Sequence, residues 1–350
     1  MPDKILSRGA ASNPPNRFET VWYVSENEPA QEDDPAPGTH FLRDSSRSLI
    51  TYNDSPDVGF NASINPYRGC EHGCIYCYAR PTHEYLGFSA GLDFETKILV
   101  KEDAPALLRQ ELASPRWKPQ VVAISGVTDP YQPVERRLKL TRQCLEILVE
   151  FRNPVVIVTK NHLVTRDADL LEELAGLEAA AVFLSVTTLD GRLSQVMEPR
   201  ASHPARRLAA IEKLARAKVP VGVLVAPVIP GFTDHEVPSI IAACAEAGAR
   251  YAGYVLLRLP YAVSPLFEEW LTRHFPERKE KVLRRIRSMR GGKLYDPHFF
   301  SRMKGEGVFA KQIALLFSLA CQRGGLKGRT PKLSISSFRR PTDRQRLLFP

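Results

Sequence analysis

The 350-residue sequence is poor in sulfur and tryptophan, with six cysteines, four methionines and three tryptophans. It has no apolar stretch long enough to cross a bilayer. The longest, Val219 to Phe232, is short and interrupted by Pro220, Pro227 and Pro230. The first residues, Met1-Pro2-Asp3-Lys4, carry no apolar core of a secretory signal, so a cytoplasmic location with no membrane partner is expected. Thiols stay reduced in that compartment, and clustered cysteines there point to metal or catalysis rather than disulfides. No internal repeat is visible.

What is present is an ordinary globular composition, 43% hydrophobic and 25% charged. This suffices for one core of roughly 200 to 250 residues plus appendages. The formal charge of +9 is unevenly spread. Glu277 to Pro350 holds 19 Lys/Arg against 5 Asp/Glu, so the rest of the chain is mildly acidic. A basic C-terminal region suggests a phosphate-bearing partner such as nucleic acid, the alternative being a solvated tail.

Residues 1–55 are rich in Pro, Asn, Asp and Ser, and "SENEPAQEDDPAPGTH" (Ser25 to His40) is too acidic and proline-laden to pack. A mobile extension is expected there. Beyond it the chain alternates. Apolar strand patterns fall at Ala62–Asn65, Thr96–Lys101, Val121–Ser125, Pro154–Lys160, Ala181–Thr188, Val219–Pro227 and Tyr251–Arg258. Helical patterns lie between them, at Ala104–Ala113, Arg137–Phe151, Asp167–Leu177, Pro204–Ala217 and His235–Ala247. Continuous apolar strands separated by helices indicate a parallel sheet covered on both faces. The expectation is an α/β fold, a partial (β/α)6 TIM-like barrel over residues 56–290, with its site where the strands end. Residues 291–350 form a basic helical extension, in which Phe309, Ile313, Leu316, Phe317 and Ala320 recur at helical spacing before Gly324-Gly325.

"GCEHGCIYCYAR" (Gly69 to Arg80) places Cys70, Cys74 and Cys77 within eight positions, with no fourth cysteine nearby. A [4Fe–4S] cluster held by three thiolates keeps one iron open for a substrate or cofactor. Gly69 and Gly73 allow the backbone to turn closely around such a cluster. The competing reading is a zinc site completed by His72 or His83, in a nucleic-acid-binding module without catalysis. An electron-transfer protein would keep four cysteines.

"CEHGCIYC" resembles the C-x3-C-x-aromatic-C signature of the radical S-adenosylmethionine (SAM) enzymes. The longer stretch "INPYRGCEHGCIYCYARPTH" (Ile64 to His83) is similar to the branch related to spore photoproduct lyase, over roughly residues 45–290. The resemblance implies that SAM chelates the fourth iron of a [4Fe–4S] cluster, and that one-electron reduction yields a 5′-deoxyadenosyl radical that abstracts hydrogen. An electron donor such as flavodoxin or ferredoxin is then needed. The resemblance further implies roles for named residues. Tyr76 would lie against adenine, with Gly126, Thr128 and Asp129 of "SGVTDPYQP" at the methionine end. Lys160 would meet a carboxylate or substrate anion, and Ser185 and Thr187 the ribose or carboxylate. Arg200 of "MEPR" would fork onto a carboxylate, with Glu198 as its alternative ion-pair partner. Backbone groups of Val228 and Ile229 in "APVIPGFTD" would read the base edge.

The sequence departs from that branch at one place. Spore photoproduct lyases keep a hydrogen-donating cysteine near the end of the second strand, where this chain has Ser125, whose O–H bond is too strong to return a hydrogen atom readily. Cys144, Cys244 and Cys321 fall in helical patterns and read as small buried hydrophobes. Tyr131 and Tyr261 are the candidate radical relays, with packing as their alternative role.

Overall fold

The computed structural model describes residues 8–18, 38–328 and 330–341. Ten strands are present among them. They are β1 (His40–Arg43), β2 (Ile50–Tyr52), β3 (Ala62–Ile64), β4 (Tyr67–Arg68), β5 (Lys97–Val100), β6 (Val122–Ile124), β7 (Val155–Thr159), β8 (Ala180–Ser185), β9 (Val221–Val228) and β10 (Tyr251–Leu256). The large sheet has the order β10-β9-β8-β7-β6-β3-β2. Its strands from β3 to β10 are parallel, and β2 is antiparallel at one edge. The six parallel strands follow one another in chain order and the two edges do not pair, so the barrel is partial and open, as the sequence pattern implies.

The central strands are apolar because helices and barrel interior cover both faces; all six residues of β8 (AAVFLS) are buried. Leu140–Phe151, which follows β6, shows why the intervening segments are helices. Its buried residues Leu140, Cys144, Leu145, Ile147, Leu148 and Phe151 lie on one side, and the chain leaves it through Arg152 in the left-handed region, φ 53°. Cys144 and Cys244 are buried in the main core, while Cys321 packs against it only partly buried.

The structure corrects two expectations. Lys97–Val100 is a strand, as its sequence suggests, but it lies outside the barrel, in a small sheet of order β1-β5-β4. Nor are the described parts of residues 1–55 loose. β1 and β2 each join a sheet, and Arg8 and Ala10 are buried. Most of Ser25–His40 lies outside the described residues.

The helix Gly307–Arg323 docks on the barrel through the expected stripe. Ile313 and Ala320 are buried in the main core, with Phe309, Leu316 and Phe317 packed against it. The Phe317 ring lies 4.7 Å from that of Tyr254 on β10. Beyond it the chain wraps the barrel, and Arg339 and Arg340 donate to the carbonyls of Glu150, Ser114 and Trp117. Among the described residues no helix is long and apolar enough to cross a membrane.

Candidate active site

The cysteine loop follows β4, a few residues beyond the end of β3, and is fixed by its own backbone. Cys70 N–H donates to the Phe94 carbonyl (2.9 Å), Ile75 N–H to Met197 (3.0 Å) and Cys77 N–H to Cys74 (3.2 Å). Gly73 takes φ 66°, and a Cβ there would lie 2.7 Å from Glu95 Oε2, so the turn requires glycine. Arg80, fully buried, holds the loop from beneath. Its Nε and Nη2 reach the Cys74 carbonyl at 3.1 and 3.0 Å, and Nη2 also pairs with Glu95.

All three cysteines are free thiols, and Cys70 and Cys74 are buried. Burial pushes the Cys74 thiol well up, and burial followed by the neighbouring Cys70 lifts Cys77 to about 11. Thiols in this setting hold their protons unless a cation replaces them, which suits a metal-bearing loop. Each nearby histidine uses its Nε2 in a hydrogen bond and keeps a buried Nδ1 without a hydrogen-bond partner among the described residues. His83 Nε2 donates to the Lys97 carbonyl (2.9 Å), with its ring against Phe88 and Phe94. His72 lies between Asn161 (3.1 Å) and Asp129 (3.4 Å). Burial opposes the charge of His72, but Asp129 and Cys70 overcome it and raise the imidazole to about 10.

Three of the residues proposed from sequence meet around one carboxylate. Glu198, 2% exposed, accepts from the hydroxyls of Tyr76 and Thr187 and pairs with Lys160 Nζ (3.2 Å) and the buried Arg207. Lys160 also donates to Thr187 Oγ1 (3.2 Å) and the Ala226 carbonyl (3.0 Å), and stands 5.4 Å from the Tyr76 ring centroid. Burial holds Lys160 down at about 8. This group stands at the ends of β7, β8 and β9, beside Cys74.

The other proposed residues are distributed around it. Asp129 accepts from Thr159 Oγ1 (2.6 Å), Lys160 N–H (2.7 Å) and Tyr131 N–H (2.9 Å). Burial works against its charge, yet His72 and these donors keep its carboxyl below the usual range. Thr128 donates to the Gly69 carbonyl (2.7 Å) and so supports the cysteine loop. Gly126 has φ 119°, and a Cβ there would meet nothing within 4 Å, leaving open space at the end of β6. Tyr78 closes that side with a hydroxyl bond to the Gly126 carbonyl (2.6 Å).

Arg200 sits further out, on Glu71 (3.0 Å) and Thr39 (3.3 Å). Its alternative partner Glu198 is taken by Lys160 and Arg207. The Ser185 carbonyl accepts from Arg207 (3.0 Å). Val228 and Ile229 are buried, with their carbonyls engaged by Leu257 N–H and by Phe232 and Thr233 N–H. Of the candidate relays, Tyr131 is fully buried in the main core, whereas Tyr261 is 59% exposed and lies under the Arg17 guanidinium at 3.7 Å.

Reading the sequence missed Arg80, Glu95 and Arg207, which hold the site from behind. Their signal, isolated charges among apolar residues, is indistinguishable in sequence from a solvated surface. Glu198 was read only as a partner for Arg200.

The model of the radical SAM superfamily matches residues 64–244, more than half of the chain, and includes the cysteine loop, Asp129, Lys160, Thr187, Glu198 and Arg207, while Arg17, Thr39, Leu257 and Tyr261 lie outside it. The chain belongs to the radical SAM superfamily. Membership implies a [4Fe–4S] cluster and SAM, and the free thiols of the loop with the open space at Gly126 fit such a group. An uncharacterized protein of Mycobacterium tuberculosis is 38% identical over 220 residues, covering 62% of this chain and 65% of that protein. The chain thus spans just under two thirds of the length of that relative. An uncharacterized Methanocaldococcus jannaschii protein is 28% identical over 219 residues, 63% of this chain and 78% of its own. Among solved radical SAM structures, spore photoproduct lyase complexed with dinucleoside spore photoproduct superposes with a TM-score of 0.59 at 16% identity, covering 83% of this chain and 82% of that one. At that identity the likeness concerns the fold.

Proposed function

We propose that this chain is a radical SAM enzyme acting on nucleic acid, with a [4Fe–4S] cluster on Cys70, Cys74 and Cys77. The observation that carries the reading is a loop of three buried or half-buried free thiols within eight residues, inside the region matched by the superfamily model. When bound, the cluster supplies one electron to the SAM sulfonium and so a 5′-deoxyadenosyl radical for hydrogen abstraction. The protein's part is positioning. Tyr76 offers a ring face, and Lys160 a cation that can turn from Glu198 to a carboxylate. Gly126 leaves backbone groups open to approach, and Asp129 and Thr128 hold these parts in register. The buried carboxylate and cations exclude bulk water from the same space.

The nucleic-acid reading rests on the surface beside the loop. Tyr78 (48% exposed) is followed by Arg258 at 5.1 Å from its ring centroid, at the end of β10. Arg258 pairs with no carboxylate among the described residues, and its buried Nε has no hydrogen-bond partner. Arginine and aromatic side chains continue outward, with Tyr295 against Tyr261, Arg17 over Tyr261 and Phe18, and Phe18 stacked on Tyr85 at 4.8 Å. Exposed rings for stacking and a half-buried guanidinium with no carboxylate partner, for phosphate, are the elements of single-strand recognition. The exposed cations Arg278, Lys281 and Arg284 on the helix Pro276–Ser288 suit an acidic electron donor of the flavodoxin or ferredoxin kind.

The test is anaerobic reconstitution and reduction, then SAM, with 5′-deoxyadenosine measured with and without oligonucleotides. Formation that is lost in Cys74→Ala and stimulated by a single-stranded oligonucleotide supports both parts. Replacing Arg258 by Gln should weaken oligonucleotide binding and lower its salt slope by about 1. Turnover with binding indifferent to Arg258 and to salt would overturn the substrate class while leaving the chemistry.

A further inference from the structure

We propose that residues 8–18 are a clasp that completes the cluster site and governs how readily a cluster leaves it, an inference that rests on the cluster reading above. This segment lies outside the region matched by the family model, residues 64–244. It is nevertheless bonded to the carboxylate beneath the cysteine loop. The amides of Gly9 and Ala10 donate to the two oxygens of Glu95 at 2.9 and 2.8 Å, and the Arg8 guanidinium donates to the Glu95 carbonyl at 2.9 Å. Glu95 is fully buried and binds Arg80, which in turn holds the Cys74 carbonyl. The chain of contacts from clasp to thiolate loop therefore runs through two residues, Glu95 and Arg80.

The approach is close enough to demand glycine. A Cβ on Gly9 would lie 1.7 Å from the Gly73 carbonyl oxygen, within the turn between Cys70 and Cys74. Further along, Leu92 N–H donates to the Ser12 carbonyl (3.2 Å), and Asn13 exchanges hydrogen bonds with Asp93 at 2.9 and 3.1 Å. Asn16 donates to the carbonyls of Glu84 and Phe88, and Arg17 pairs with the buried Glu84 at 2.7 Å. With the clasp released, the buried Glu95 loses two donors and the back of Gly73 faces solvent. A short segment held by hydrogen bonds rather than by an apolar stripe opens at far lower cost than the barrel. Opening of this segment, rather than global unfolding, therefore bares the back of the cysteine loop and loosens its hold on a cluster.

The test uses the full chain with Gly9→Ala, the milder Asn13→Ala, and Gly59→Ala as control, since a Cβ on Gly59 meets nothing within 4 Å. Amide exchange on the iron-free protein reads the loop, and transfer of iron from reconstituted protein to a ferrous chelator reads cluster retention. Gly9→Ala should speed exchange over residues 70–77 and iron release by about tenfold, the loss of one to two buried hydrogen bonds. Asn13→Ala should move both in the same direction by less, with the barrel's melting temperature and the Gly59→Ala control at wild-type values. Faster exchange at residues 8–18 with loop exchange and iron release unchanged would overturn the clasp. If the wild-type chain takes up no iron, the cluster reading fails by itself. Exchange at 70–77 then decides the clasp alone, a rise upholding it and no rise ending it.

Discussion

Two buried groups show how single residues set the conditions around the loop. His83 is fully buried between Phe88 and Phe94, and burial lowers its imidazole to about 4 from an ordinary 6.5. Above pH 6.5 neither folded nor unfolded chain binds this proton. Between 6.5 and about 4 the unfolded chain binds it and the folded chain does not, so stability falls with pH by on the order of 3 kcal/mol and then levels off. Urea unfolding of the iron-free protein across that window should show this loss in wild type and lack it in His83→Gln; parallel curves would contradict it. The second group, Glu198, balances Lys160 and Arg207 while accepting from Tyr76 and Thr187. The three cysteines were legible because their spacing is contiguous in the chain. The Glu198–Arg207 pair was not, since it forms only when the end of the helix Gly191–Met197 folds back on the helix Pro204–Arg216.

At the scale of elements, local pattern reveals what a segment is and seldom what it pairs with. Lys97–Val100 reads as a strand because its residues alternate in burial, yet its partners β1 and β4 lie far before it in the chain, and nothing local separates a barrel strand from a side-sheet strand. The six barrel strands were legible because a doubly covered parallel strand is apolar throughout. The segment 8–18 escaped recognition for the opposite reason, being held by backbone donors to buried carboxylates, which leave no periodic trace. The terminal helix Gly307–Arg323 was legible from its stripe, and its attachment is testable. Ile313, 5% exposed, faces the main core, and Ile313→Ala should cost roughly 2–4 kcal/mol in denaturant unfolding. A cost near zero would show that the helix does not share the barrel's cooperative unit.

Across the whole molecule, charge and chemistry are segregated. The mildly acidic body places its thiols, its Lys160–Glu198–Arg207 group and the open space at Gly126 at one end of a parallel sheet. A surface cavity of about 300 Å³ lies against the opposite ends of β9 and β10, at Val219, Pro220 and Tyr251. The basic C-terminal region is partly structural, with Arg339 and Arg340 spent on barrel carbonyls, so its excess charge alone is a weaker sign of nucleic acid than Arg258, which has no carboxylate partner among the described residues, beside Tyr78. The central claim is that three thiolates hold an iron–sulfur cluster with one open iron. It is tested most directly by measuring iron, acid-labile sulfide and zinc in anaerobically reconstituted protein beside Cys74→Ala. The account predicts about four irons and four sulfides per wild-type chain, little in the variant, and no stoichiometric zinc. One zinc per chain with no sulfide would contradict it.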